Sequence, residues 1–152
     1  MLQTRLREYL EPRVSIIVGT VSADRMPASC RAIALRANEE LSVFTVYVPV
    51  ATSQETVANV AATRRIAVAC SRPRTHSTIQ FKGAAREVRL AADEEREFVS
   101  GRLQAFADEL GDLGYPRRSI GALAHWPAFA IEIAVEALFE QTPGPNAGVS
   151  LR

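Results

Sequence analysis

The chain has 152 residues, 47% of them hydrophobic and 23% charged, with a formal net charge of +1. That length fits one domain, spanning 1–152, which buries roughly two-thirds of the surface its unfolded chain exposes and needs no staples to do so. The near-neutral balance argues against non-specific nucleic-acid binding, which needs a basic face. No apolar run is long enough to span a membrane, and acidic residues near the start do not suit a secretory signal, so a cytoplasmic location is expected.

In chain order, "TRLREYLEPR" (Thr4–Arg13) predicts a helix, with Thr4 as its N-cap, Leu6, Tyr9 and Leu10 as its apolar stripe, and Pro12 as its stop. "VSIIVGTVS" (Val14–Ser22) is rich in β-branched residues and predicts a strand. The turn "ADRMP" leads to a second strand, "ASCRAIALRA", and "NEE" to a third, "LSVFTVYV" (Leu41–Val48). Three such runs with short turns read as an antiparallel meander. "SQETVANVAATR" (Ser53–Arg64) changes period: Ser53 is an N-cap candidate, and Val57, Val60 and Ala61 recur at helical spacing. "RIAVACS" (Arg65–Ser71) returns to strand. After the polar loop "RPRTH", "STIQFKGAAREVRL" (Ser77–Leu90) predicts a long strand with Gly83 as its bulge or bend. "DEEREFVSGRLQAFADELGDLG" (Asp93–Gly114) is the longest predicted helix. Asp93 is its cap, Phe98, Leu103, Phe106 and Leu110 are its buried face, and Gly111 and Gly114 end it. The alternation in "PAFAIEIAVEALFEQ" (Pro127–Gln141) favours a last strand, and the Pro/Gly-rich tail is expected to be irregular.

This order suits a small barrel with flanking helices. A doubly wound sheet is disfavoured, because no G-x-G-x-x-G follows a strand. Cys30 and Cys70 sit in strand-like runs and read as buried free thiols. His76 and His125 are too far apart in sequence to suggest a zinc site, so no metal is expected.

Two arginines stand out in "PASCRAIALR": Arg31 in mid-strand and Arg36 at its end. A guanidinium binds a phosphate through a planar fork of charge-assisted hydrogen bonds, and a helix N-terminus such as Ser53 adds backbone donors. Arg31 can equally pair with a carboxylate or project from an edge strand. Arg36, five residues away, falls on the opposite face of a regular strand.

Taken together, "IIVGTVSADRMPASCRAIALR", "VFTVYV", "SQETVANVAATRRIAVA" and "IQFKGAAREV" resemble the FMN-binding split-barrel family of pyridoxamine 5′-phosphate oxidase, in the same order and at matching spacings. The resemblance implies a mainly β fold with flanking helices: an antiparallel split β-barrel of six to seven strands, homodimeric, with FMN at the subunit interface. It places Arg31 and Arg36, with Ala32, Ile33 and Ala34 between them, along the flavin. It further implies cofactor contacts from Phe44 and Thr45, from the helix start Thr52, Ser53 and Gln54, from Thr78 or Gln80, and from the late aromatic Trp126. Ala32 and Ala34 are small enough to let a flat ring approach the strand. Two departures are clear: the family's usual lysine is missing from "ATSQET", and the late Arg-x-His substrate motif of true pyridoxamine phosphate oxidases is absent. The expected function is therefore an FMN-dependent oxidoreductase of unassigned substrate. A deazaflavin reductase and a non-catalytic flavin- or haem-binding dimer are the alternatives.

Overall fold

In the computed structural model, which describes residues 2–151, the elements run α1 (Leu2–Glu8), β1 (Ser15–Val21), β2 (Pro27–Ala32), β3 (Ala34–Ala37), β4 (Val43–Pro49), α2 (Gln54–Thr63), β5 (Arg65–Ser71), β6 (Thr78–Leu90), α3 (Arg96–Asp112), α4 (Arg117–Gly121) and β7 (Ala128–Glu140). The strands form one antiparallel sheet in the order β2-β1-β5-β6-β7-β4-β3. Its two outer strands, β2 and β3, are halves of a single run interrupted only at Ile33. The sheet therefore curls until its edges meet, and the "PASCRAIALR" segment is the seam. At the seam the Ile33 N–H donates to the Tyr47 carbonyl at 2.9 Å.

Alternation along each strand divides the sheet into an inner and an outer face. The inner face is the core: Val18, Val46, Val68, Phe81, Ile131 and Ile133 are almost wholly buried there. The outer face of β3, β4 and β7 is covered by α3, which packs Val99 and Leu103 onto Ala34, Tyr47 and Ala130. Helix α2 lies against β1, β2 and β5. There Asn59 Nδ2 donates to Thr20 Oγ1 (3.1 Å) and Thr56 Oγ1 to Cys30 Sγ (3.2 Å). Among the described residues no helix is long and apolar enough to cross a membrane.

Gly83 sits at a register shift between β6 and β7, as its place in the sequence predicts. A Cβ there would stand 2.0 Å from the Ala134 carbonyl oxygen, so the close approach of β7 requires glycine.

Several boundaries differ from expectation. Thr4 lies inside α1, which ends at Glu8. Asp93 opens a short 3₁₀ turn before α3; the Glu95 carboxylate caps that turn by accepting the Ala92 N–H at 2.7 Å. Gly111 belongs to the last turn of α3, where Val99, Leu103, Phe106 and Ala107 are the buried apolar residues. Helix α4 carries too short a pattern to be legible. The tail turns back on its own strand: Ser150 bridges Phe139, and the Leu151 N–H donates to the Leu138 carbonyl.

Candidate functional site

The outer face of β2, β1, β5 and β6 is left bare, and there the curled sheet forms a groove of about 790 Å³. Register sets its floor. Ser29, Gly19, Ala67 and Lys82 form one row across the four strands. The next row is Arg31, Ile17, Ala69 and Gln80. Three interstrand spacings separate Arg31 from Gln80, roughly 14 Å, with only Ile17 and Ala69 between them. The groove itself is lined by small side chains, Ser29, Ala67 and Ala84 among them, with Arg64, Arg65 and Lys82 as its cations. A Cβ built on Gly19 meets nothing within 4 Å, so this glycine leaves open space above the floor.

Arg31 stands at the edge of this floor. Its Nη1 donates to Ser15 Oγ at 2.9 Å, and its guanidinium lies 5.2 Å from the Phe106 ring centre. No carboxylate pairs with it among the described residues, and burial pulls its pKa below the ordinary arginine value. A half-buried guanidinium with a hydroxyl and a ring for company retains most of its capacity to bind an anion.

The strand break at Ile33 settles the question of faces. Ala32 and Leu35 point into the barrel, whereas Ile33 and Ala34 both join the cluster under α3. One side chain is thereby skipped in the alternation, and Arg31 and Arg36 emerge on the same face. Arg36 lies 3.8 Å from the Phe98 ring centre, and Arg31 is at Phe106, eight residues along α3. Their Cα atoms are at most about 16 Å apart along the strand, at about 3.3 Å per residue, and their ring partners about 12 Å apart along α3.

Not all the residues implied by the resemblance come together. Ala32 and Phe44 are core residues, and Ile33 and Ala34 lie under α3. None of the four offers its side chain to the groove. The open floor is made by Gly19, Ser29 and Ala67 instead. Thr45 lies beside Arg36 on the outer face of β4. Thr52 and Gln54 are exposed at the start of α2. Ser53 is fully buried, caps nothing through its side chain, and leaves Oγ without a hydrogen-bond partner. The first turn of α2 touches β2 at Cys30, whose side chain faces away from that of Arg31, so the chain does not pair Ser53 with Arg31. Thr78 Oγ1 is occupied by Ser71 Oγ and the His76 carbonyl, whereas Gln80 shares the row with Arg31. Trp126 packs against the α3 cluster, with Arg96 6.0 Å from its ring centre. Both cysteines are free thiols, and burial pushes Cys70 up to about 12, so neither is a ready nucleophile.

No family model matches the sequence, and no curated protein matches it. Solved structures match its fold. HupZ of Group A Streptococcus aligns with a TM-score of 0.59 at 19% identity over 97% of this chain and 100% of that one. A protein from Clostridium acetobutylicum related to general stress protein 26, of the pyridoxinephosphate oxidase family, aligns with a TM-score of 0.54 at 14% identity over 97% and 94%. The fold is that of the pyridoxamine 5′-phosphate oxidase-like split barrels. An F420 reductase aligns with this split barrel at a TM-score of 0.55 and 13% identity, over 87% and 94%. An FMN-binding protein from Syntrophomonas wolfei and the heme storage protein HutZ from Vibrio cholerae have the same architecture.

Sequence reasoning missed Gly19, Ser29 and Ala67 as the floor, and Ser15 as the partner of Arg31. The glycine inside "IIVGTVS" was the available signal, since an interior strand glycine marks a close approach or an open space.

Proposed function

We propose that the chain is an FMN-binding flavoprotein whose flavin lies on the bare ledge formed by β2, β1, β5 and β6. The observation that carries this reading is Arg31: a half-buried guanidinium with no carboxylate partner, at the edge of a flat floor of small residues that Gly19 leaves open. Those features fit the group. A phosphate monoester is nearly dianionic at neutral pH and suits the guanidinium fork, while a planar fused ring needs a floor without protruding side chains. Arg31 would hold the phosphate, Gly19 and Ala67 would leave room for the ring, and the Gln80 amide would offer a hydrogen bond at its edge. Arg36 is too far along the strand to share that phosphate. When bound, the flavin supplies the hydride or electron transfer, and the protein's task is to orient it and exclude water. The reading is therefore an oxidoreductase of unassigned substrate. In the homodimer that the resemblance implies, a second copy would close the groove over Ile17. A haem is less well served, since the described lining of the groove has no histidine, cysteine, methionine or tyrosine.

The test is the bound chromophore. Purified protein should be yellow and release a compound with the mass of FMN. A mass matching a deazaflavin would redirect the cofactor, and a haem spectrum, or a colourless protein that leaves added FMN fluorescence unchanged, would contradict the reading. Stopped-flow reduction of the bound flavin by NAD(P)H then separates an enzyme from a sensor.

A further inference from the structure

Every charged residue that lines the groove is without a salt-bridge partner among the described residues. Three are cations, Arg64, Arg65 and Lys82, and one is a carboxylate, Glu136. The groove therefore carries an excess of two positive charges, on a chain whose net charge is +1. A concave surface dominated by one sign of charge focuses the field and draws in counter-ions.

Strand register brings the cations together. Arg65 pairs with Ala84 and Ala67 with Lys82, so Arg65 and Lys82 are diagonal neighbours on the outer face of β5 and β6, roughly 7–8 Å apart. Arg64 ends α2 in the left-handed conformation (φ 57°), where glycine is the usual residue. Its Nε donates to the Ala85 carbonyl at 3.0 Å, which holds the guanidinium beside β6 and leaves its two terminal nitrogens free to bind. The Lys82 ammonium lies 5.0 Å from the Phe139 ring centre, which steadies it over the sheet without neutralising it.

This cluster is not the Arg31 end of the ledge. Lys82 stands three strands from Arg31 and one row further along them, at most about 16 Å away. Arg31 is also turned the other way, toward Ser15, one row beyond its own. The open floor of Gly19 and Ala67 lies between the two charged ends. The three cations come from the end of α2 and from two strands, so their charge is spread. Two separated carboxylates suit that spread better than one compact phosphate, since each guanidinium fork matches one carboxylate. We propose that Arg64, Arg65 and Lys82 bind the carboxylates of the substrate, a small dicarboxylic acid whose remaining part lies over the open floor. That this part meets a flavin there rests on the preceding reading; the anion site itself does not.

The probe is succinate, added at constant ionic strength to the whole chain as purified and followed by amide NMR. The amides of Arg65, Ala67, Lys82 and Ala84 should shift saturably. Arg65→Gln and Lys82→Gln, both at exposed positions, should each weaken binding about tenfold, the loss of one charge-assisted partner. Arg65→Lys should be intermediate. Arg31→Ala should leave succinate binding unchanged, FMN affinity should be unaltered by Arg65→Gln, and succinate should still bind when FMN is saturating. A chain that binds succinate at these residues but holds no FMN would keep the dicarboxylate site and remove the flavin reading alone. The proposal is overturned if succinate gives no saturable shift at millimolar concentration, if inorganic phosphate binds more tightly than succinate, if the Gln variants bind as the parent does, or if saturating FMN abolishes succinate binding.

Discussion

The outer face of this barrel is one continuous surface treated in two ways. Over β3, β4 and β7 it is roofed by α3; over β2, β1, β5 and β6 it is bare. The roofed half carries Tyr47 between Ala34 and Ala130, a ridge that α3 straddles with Val99 and Leu103. The roof is pinned at both ends. Glu95 ties its start to Arg89 and Tyr47, and Glu109 ties its last turns to Arg13 and Arg74. The bare half has no such aromatic ridge; its floor is mostly glycine, alanine and serine, with Ile17 as its exposed apolar side chain. The same alternation of side chains thus yields a packed layer where a tyrosine projects and a ledge where small residues predominate. Stability should reside in the first region and ligand binding in the second.

Five substitutions, one of them within a pH series, can break that division. The largest effect is expected at Leu103, which is 1% exposed beneath the roof. Leu103→Ala should cost about 2–5 kcal/mol in chemical denaturation, from lost transfer energy and the cavity left behind. Gly83→Ala comes next. Its Cβ would collide with the Ala134 carbonyl, so β7 must shift, at about 1–3 kcal/mol by the same assay. On the ledge the readout changes. Arg31→Ala should remove charge-assisted bonds worth about 1.5–3 kcal/mol, a loss of about 10- to 100-fold in FMN affinity, with little change in thermal midpoint. Gly19→Val should also weaken FMN at least tenfold. The open space above that position lets the fold accept the side chain while the groove fills.

The pH series sharpens the roofed side. The Glu95 carboxyl is held down at about 2, chiefly by its hydrogen bonds from Arg89. A depressed carboxyl stabilises the fold above its unfolded value, near 4.5, and that contribution is lost as pH falls from there toward about 2. Thermal midpoints measured across this window should fall. Glu95→Gln should lower the midpoint at neutral pH and flatten the part of the acid slope that Glu95 supplies. Glu140, also held at about 2, by Thr142 and Arg5, should leave a residual slope in that variant.

How much of this was legible beforehand depends on range. The strands and the two long helices follow from local periodicity, and β5 begins and ends where "RIAVACS" does. The bulge at Gly83 is local too. The seam at Ile33 was not legible, because it exists only where two distant strands, β1 and β4, compete for one run. That break carries Arg36 to the face of Arg31, which a regular strand would forbid. The floor of the groove was hidden for a related reason. Gly19, Ser29 and Ala67 are unremarkable singly and become a surface only through the register of β1, β2 and β5. The α3 side of the arginines stayed hidden as well: Phe98 and Phe106 read as core positions, yet each also seats a guanidinium.

The central claim is that the bare half holds a flavin by way of Arg31. Fluorescence titration of FMN against the parent chain, Arg31→Ala and Gly19→Val tests it most directly. The account predicts saturable binding by the parent and at least tenfold weaker binding by both variants at unchanged thermal midpoints. Binding of equal strength by all three, or no binding by the parent, would contradict it.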